Sequence, residues 1–284
     1  VEVKERLHER FIAAVKGSEE IAPLTSDLVE VLNNHPHEAE RELVAGLDKV
    51  LRITFSFSER QRRAVERCIE IMGQGMAEFE RNCSRNGLED IPALDRYCYV
   101  VAGVVGEMLC ELFCDYSQAI DNNREQLEAL AVSFGEGLQM TNILKDIYDD
   151  WERGVCWLPA DVFSQNGIAP GELDRHRLSD GYAESILFLV DKAAGHLADA
   201  LEYTLLIPAT EKGIRRFCLW AIAMAVLTLR NIHKTPSYAN GEEVKISRNS
   251  VRSVILISNL LTAYDGMLRF AFRQLVRPMR RMKS

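Results

Sequence analysis

Residues that break helices are scarce in this sequence, which has 17 glycines and 8 prolines among 284 residues. That scarcity excludes a collagen-like or low-complexity chain. It also argues against a fold of many short strands, which needs frequent turn residues. The longest apolar run covers residues 217–227 and is shorter than the roughly 20 residues that span a bilayer. We therefore interpret this run as a core helix.

An excess of positive charge is also absent, since 34 lysines and arginines stand against 42 aspartates and glutamates. A net charge of −8 makes the chain a poor candidate for nucleic-acid binding, whose affinity comes largely from neutralised phosphates. The seven cysteines form no disulfide framework, which predicts reduced thiols and a cytoplasmic location. Cys110 and Cys114 are four residues apart, but no nearby cysteine or histidine completes a zinc site.

Apolar residues recur at three- and four-residue spacing through long segments without proline, the period of an α-helix. Almost no segment alternates with the period of a strand. The pattern predicts a single all-α domain over residues 1–284. The predicted helices cover about 2–15, 25–33, 37–55, 58–82, 91–116, 124–152, 180–205, 210–233 and 248–274.

One predicted helix carries a line of polar side chains on a single face. Gln139, Asn142, Asp146 and Asp150 fall within about 80 degrees of one another on a helical wheel, and Asp149 lies beside them. Carboxylates four residues apart repel each other, so a counter-ion is expected. Oxygen ligands at this spacing suit Mg²⁺, which often bridges to a substrate phosphate. The alternative is a solvated acidic face without a ligand.

A second helix carries small residues, among them Gly103, inside an apolar stretch. Val101, Val105 and Leu109 share a helix face with Tyr97. One interpretation is an apolar wall with a phenol at its mouth, and the other is tight helix–helix packing. Together with the acidic face, the first interpretation describes an apolar channel that ends in a metal–diphosphate site, which suits a prenyl diphosphate.

Five segments in order make the chain resemble the squalene/phytoene synthase family, and within it the squalene synthases. The resemblance is carried by MGQGMAEF at 72–79, YCYVVAGVVG at 97–106, QMTNILKDIYDD at 139–150 with RGVCWLP at 153–159, FCLWAIAMA at 217–225, and VKISRN at 244–249.

This resemblance implies a helical isoprenoid-synthase bundle around a central cavity. It also implies a prenyltransferase that condenses two farnesyl diphosphates head to head, with Mg²⁺, through presqualene diphosphate to squalene, using NADPH. Three alternatives stay open. One is a phytoene or dehydrosqualene synthase, which needs no reductant. Another is a variant that stops at presqualene diphosphate or hydrates it, and the third is a non-catalytic family member that acts as a scaffold.

The family resemblance assigns roles to individual residues. Asp146 and Asp150 match the family's second aspartate-rich motif, which binds Mg²⁺ and diphosphate, and Asp149 stands where the family often has Glu. Gln139 and Asn142 match the polar pair before that motif.

Further residues match positions outside the acidic motif. Tyr97 matches a tyrosine proposed to act in the first half-reaction, and Phe217 matches an aromatic residue thought to stabilise carbocations. Lys245 and Arg248 match a basic loop tied to NADPH or diphosphate, although Ser247 stands where some members have a basic residue. The prenyl channel would be lined by Met76, Val101, Gly103, Val105 and Leu109.

Both ends of the chain add expectations. The family's first aspartate-rich motif and the helices around it do not occur in residues 1–284, and we expect the natural protein to carry them upstream. The C-terminal segment is basic and amphipathic, which predicts a cytoplasmic protein in peripheral contact with the cytoplasmic face of a membrane. Its basic residues are Arg269, Arg273, Arg277, Arg280, Arg281 and Lys283.

Overall fold

The computed structural model describes residues 2–33 and 37–280, and those residues confirm the all-α prediction. No strand occurs in these ranges, where Leu88 and Pro159 form an isolated parallel bridge. The chain forms two compact units, Val1–Glu78 and Phe79–Ser284. A single domain over residues 1–284 stays a prediction.

The first unit is built from short amphipathic helices. Its elements are α1 (Glu2–Val15), α2 (Ile21–Leu32), α3 (Glu38–Ala45), α4 (Leu47–Phe55) and most of α5 (Glu59–Asn82). Gly46 separates α3 from α4, so the helix predicted over 37–55 is two helices. The buried centre of this unit consists of Leu7, Ala14, Val15, Leu24 and Leu51.

The second unit holds the longer helices and the larger core. Its principal elements are α6 (Ile91–Cys98), a π-helical turn (Tyr99–Gly103), α7 (Val104–Tyr116), α8 (Gln118–Asp121), α9 (Arg124–Lys145), α10 (Ile147–Glu152), α11 (Ala160–Ser164), α12 (Leu173–His176), α13 (Asp180–Leu206), α14 (Lys212–Lys234), α15 (Gly241–Val244), α16 (Arg248–Leu261) and α17 (Asp265–Val276). A 3₁₀ turn (Pro170–Glu172) precedes α12.

Helix α9 lies at the centre of this unit and packs against α7, α13 and α14. The helical stretch Ile91–Tyr116 runs antiparallel to α9, because Ala102 lies against Gly135 and Gly106 lies against Ala131. By length and composition, this stretch is long and apolar enough to cross a membrane. Here its buried residues, Val104 among them, pack within the protein, and a core helix has the same composition.

Three long predicted helices are interrupted in the structure. The helix predicted over 124–152 breaks at Asp146, and the one predicted over 248–274 divides between α16 and α17. The helix over 91–116 contains the π-helical turn, a feature that is frequent at functional sites. The hydrophobic period alone does not reveal these interruptions.

A buried arginine ties α14 to the start of α17. Arg215 is 1% exposed, pairs with the half-exposed carboxylate of Asp265, and donates to the carbonyl of Ile207 at 3.3 Å. A buried guanidinium without a carboxylate partner is strongly destabilising. The ion pair therefore fixes the α16–α17 hairpin to the core.

We expect Asp265→Asn to lower the free energy of unfolding by about 1–3 kcal/mol, because the Arg215 charge stays buried without its partner. The matched control is Glu202→Gln, which removes the exposed pair between Glu202 and Arg269 and should change stability by about 1 kcal/mol or less. Urea unfolding of both variants provides the measurement. Equal effects of the two substitutions would contradict a structural role for the buried pair.

Candidate functional site

The acidic motif lies at the break between α9 and α10. Asp146 has φ −103° and ψ 16°, outside the helical range, and ends α9 while it begins α10. The amide of Asp146 still donates to the Asn142 carbonyl, and the amide of Asp150 donates to the Asp146 carbonyl, both at 2.9 Å. The backbone hydrogen bonds that link Asn142, Asp146 and Asp150 at four-residue spacing are therefore kept across the break.

Negative charge is crowded at this break. Burial raises the pKa of Asp150, and the charges of Asp146 and Asp149 raise it further, while Arg153 opposes them. Arg153 Nη2 lies 2.6 Å from Asp150 Oδ1, and Lys145 Nζ lies 3.2 Å from Asp146 Oδ2. Asp149 is exposed. Two cations thus face three carboxylates, which leaves a net negative site.

The first residue of α15, Gly241, approaches the same carboxylates. A Cβ placed on Gly241 would lie 3.6 Å from Asp146 Oδ1 and 3.7 Å from Asp149 Oδ2, and 3.1 Å from the Lys145 carbonyl. A side chain here would crowd the Lys145 carbonyl, whereas its Cβ would make ordinary van der Waals contact with the two carboxylates. Two carboxylate oxygens consequently converge on one small gap beside Gly241.

The carboxylate oxygens at this gap suit Mg²⁺ at a site where the protein supplies only some of the ligands. Among the described residues, no group of three or more His, Cys, Asp or Glu side chains is placed to hold a metal ion. Mg²⁺ needs less than that, since it keeps several waters and uses one or two carboxylates together with substrate phosphates. Asp146 and Asp149 could hold it directly, with Asp150 next to them. Gln139 is half-buried and Asn142 exposed on the preceding helix.

Three aromatic rings meet beside the acidic motif. Tyr97 stacks on Trp157 with centroids 4.1 Å apart and planes 11° apart, and the edge of Phe79 meets Tyr97 at 5.1 Å. The charge of Asp150 acts on Tyr97, whose pKa is raised first by burial and then by that charge. The Arg96 guanidinium lies 5.6 Å from the Phe79 centroid. The rings therefore already favour a cation at their faces.

Sequence analysis assigned no role to Phe79 or Trp157, although both lie within segments that carry the family resemblance. The isolated bridge positions Trp157, because the amide of Leu88 donates to the Leu158 carbonyl at 2.9 Å and the amide of Ala160 donates to the Leu88 carbonyl at 2.7 Å. The sequence signal for these two residues is an aromatic side chain within each of the segments 72–79 and 153–159. Their meeting depends on a pairing between distant loops.

The predicted channel residues differ in position. Val101, Val105 and Leu109 are half-buried along one helix, whereas Gly103 is buried. A Cβ on Gly103 would lie 3.1 Å from the side chain of Val132, which favours the helix-packing interpretation for this residue. Met76 belongs to the first unit and is 48% exposed.

The remaining predicted site residues lie on the surface. Phe217 is 51% exposed near the start of α14. Lys245 is exposed and pairs with Glu242 at 2.6 Å. Arg248 is exposed in the first turn of α16, where Ser247 caps the helix by accepting from the amide of Ser250 at 3.1 Å. Exposed cations at a helix start suit a phosphate group.

A second polar cluster lies between α9 and α13 and carries no sequence prediction. His196 Nδ1 is 2.8 Å from Ser133 Oγ and 3.4 Å from Glu136 Oε2. Burial raises the pKa of Glu136 to about 7, and the charge of Asp95 adds to the rise while Lys192 opposes it. Burial lowers the pKa of His196. The cluster holds a carboxyl group that titrates near neutrality.

The model for the squalene/phytoene synthase family matches residues 7–250. The squalene synthase of Schizosaccharomyces pombe is 29% identical over 83% of this chain and 51% of that protein. The squalene synthase ERG9 of Saccharomyces cerevisiae is 27% identical over 80% and 51%, respectively. The chain spans about half the length of these relatives.

Solved structures agree in fold. TcSQS bound to the ligand E5700 has a TM-score of 0.65 at 20% identity, over 97% of this chain and 87% of that one. A ligand-bound dehydrosqualene synthase has a TM-score of 0.57 at 19% identity, over 92% and 86%.

The fold places the chain in the class of all-helical proteins to which squalene and dehydrosqualene synthases belong. Within that class, the match across residues 7–250 shows that the chain belongs to the squalene/phytoene synthase family.

The Glu136 carboxyl should make stability depend on pH. Because its folded-state pKa of about 7 exceeds its ordinary value of 4.5, its contribution is present at low pH and is lost as pH rises through 7. We expect Glu136→Gln to match the native protein near pH 4.5 and to exceed its stability above pH 7 by on the order of 1 kcal/mol.

Chemical unfolding from pH 4.5 to 8 measures this difference, with Glu128→Gln on the exposed side of α9 as control. A constant gap between native and Glu136→Gln across the pH range would refute the titration.

Proposed function

We propose that this chain is the catalytic part of a prenyltransferase that joins two farnesyl diphosphates head to head, through presqualene diphosphate, to squalene. The observation that carries the proposal is the placement of Phe79, Tyr97 and Trp157 beside the Asp150 carboxylate. Carboxylates suit the metal-bound diphosphate end of such a substrate, and aromatic faces suit the cation that its departure leaves behind.

The first half-reaction breaks the carbon–oxygen bond of one farnesyl diphosphate. Mg²⁺ held at the carboxylates would stabilise the leaving diphosphate as a Lewis acid. The double bond of the second farnesyl diphosphate then attacks the allyl cation, and one proton leaves as the cyclopropane ring closes. The charge of Asp150 acts on Tyr97, and the Tyr97 hydroxyl would pass on that proton.

The chain's own residues then serve the second half-reaction. Apolar side chains at Val101, Val105 and Leu109 would surround the prenyl tails and exclude water, which would otherwise convert cations to alcohols. Phe217 would offer its ring to a later cation. Lys245 and Arg248 would hold the phosphates of NADPH, the donor of the hydride that yields squalene.

The decisive test incubates the protein with farnesyl diphosphate and Mg²⁺, with and without NADPH, and identifies products by mass spectrometry. We expect squalene only with NADPH. Asp150→Asn should lower the rate of condensation by roughly 100-fold or more, because one of the three carboxylate charges at the proposed metal site is lost. The exposed Asp180→Asn on α13 is the matched control and should retain the native rate.

Other outcomes favour the alternatives. Dehydrosqualene without reductant, or phytoene from geranylgeranyl diphosphate, would replace the squalene assignment and keep the family chemistry. No product from either diphosphate would favour a scaffold without catalysis. Full activity of Asp150→Asn would remove the acidic motif from the mechanism.

We also propose that the protein is cytoplasmic and contacts an anionic membrane surface through its basic C-terminal segment. The structure narrows how this could occur, since Leu268, Phe272 and Val276 bury the apolar face of α17 in the core. Arg269 pairs with Glu202, and Arg280 pairs with Asp191. Arg273 and Arg277 stay exposed, and Arg281 and Lys283 lie outside the described residues. The exposed basic residues would make this contact, together with Met267 and Phe270, which are exposed on the same helix.

We expect the double substitution Arg273→Glu/Arg277→Glu to weaken binding to phosphatidylglycerol-containing vesicles by about tenfold or more, since each basic residue near an anionic surface contributes about 1 kcal/mol. Co-sedimentation at two salt concentrations is the measurement. The control Lys49→Glu/Lys212→Glu makes the same charge change at exposed positions elsewhere. Equal loss in both variants would point to net charge alone and contradict a role for the segment.

A further inference from the structure

The hydroxyl of Tyr238 donates to the carbonyl of Leu144, two residues before the break in the acidic motif. Tyr238 is 0% exposed and lies 94 positions away in sequence. In an uninterrupted α-helix the Leu144 carbonyl would face the amide four residues ahead. A side chain that enters this ladder of hydrogen bonds is a known cause of sharp kinks.

The ring of Tyr238 also supports the other side of the break. It meets Tyr148 edge to face, with centroids 5.8 Å apart and planes at 89°. Tyr148 belongs to α10 and is buried, and its hydroxyl donates to Tyr182 at 3.1 Å. Tyr238 thus contacts the last turn of α9 through its hydroxyl and α10 through its ring.

The loop that carries Tyr238 is itself anchored at both ends. Arg177 Nη1 donates to the Ser237 carbonyl at 2.8 Å, and Asn231 Nδ2 donates to the Val244 carbonyl at 3.0 Å. Between these anchors, Gly241 lies against the carboxylates of Asp146 and Asp149. Other contacts therefore hold this loop in place, and Tyr238 can fix the helix break relative to the loop.

We propose that Tyr238 is a positioning residue that holds the break at Asp146 and so sets the spacing of Asp146, Asp149 and Asp150. The role in binding rests on the Mg²⁺–diphosphate site of the proposed function. The hold on the break rests on the contacts alone. Tyr238 touches no substrate in this role and acts through the Leu144 carbonyl.

The test compares Tyr238→Phe with Tyr182→Phe. Tyr238→Phe keeps the ring and its contact with Tyr148 but removes the hydrogen bond to Leu144. Tyr182→Phe also removes one hydrogen bond between buried groups, that from Tyr148 of α10, but leaves the bond from Tyr238 to the Leu144 carbonyl in place. Both variants should lose similar thermal stability, so stability alone does not separate positioning from packing.

Two further measurements separate a positioning role from a packing role. Hydrogen–deuterium exchange of the amides at 145–150, without metal, should be roughly five- to tenfold faster in Tyr238→Phe than in the native protein and unchanged in Tyr182→Phe. Calorimetric titration with Mg²⁺ and inorganic pyrophosphate should show weaker binding by a similar factor in Tyr238→Phe alone.

The same exchange rates and affinities in both variants would overturn the proposal. If the native protein binds no Mg²⁺–pyrophosphate, the proposed diphosphate site fails, and the exchange rates still decide whether Tyr238 holds the break. Faster exchange with unchanged pyrophosphate binding would reject the positioning of the carboxylates.

Discussion

The second unit depends on the close approach of two helix backbones, α9 and the stretch Ile91–Tyr116. A Cβ on Gly106 would lie 2.0 Å from the Ala131 carbonyl oxygen, and one on Gly135 would lie 2.1 Å from that of Ala102. No flexible side chain could move aside at either point, because the obstacle is backbone. This contact fixes the two helices antiparallel, and it brings Tyr97 to the end of α9 where the carboxylates lie. The aromatic cluster and the acidic motif are neighbours because of this contact.

The acidic motif is then a local concentration of charge that its surroundings only partly neutralise. Burial and two neighbouring carboxylates raise the pKa of Asp150, and the exposed Arg153 offsets them in part. Such a site is poorly stable as an empty surface and well suited to a divalent cation, whose charge exceeds that of any single side chain. The break at Asp146 turns what would be a continuous helical stripe into a concave edge that Gly241 approaches.

Sequence patterns predict the helices and the contacts within a single helix, but not the contacts between distant segments. The period of apolar residues predicts the long helices, and the spacing of Asp146 and Asp150 predicts their common face, which the hydrogen bonds of the break preserve. The hydrophobic period does not reveal the Tyr238 hydroxyl, which donates to the helix at its break. It also does not reveal the pairing of Leu88 with Leu158, which brings Trp157 to Tyr97. The amphipathic C-terminal segment shows the same limit, since its apolar face could serve a membrane or the protein core. Only the packed positions of Leu268 and Phe272 distinguish the two.

Protonation states constrain how the site could work. Burial raises the pKa of Tyr97, so the phenol is neutral at physiological pH and cannot act as a free phenolate base. A proton released near Tyr97 must therefore pass through the hydroxyl to a stronger acceptor. In the proposed reaction, the acceptor would be Asp150, whose pKa is raised, or the departing diphosphate. Stacking on Trp157 leaves the ring fixed while the hydroxyl proton is exchanged. In the proposed reaction, Tyr97 would thus relay the proton from the aromatic cluster to Asp150 or to the departing diphosphate and would not itself be the base.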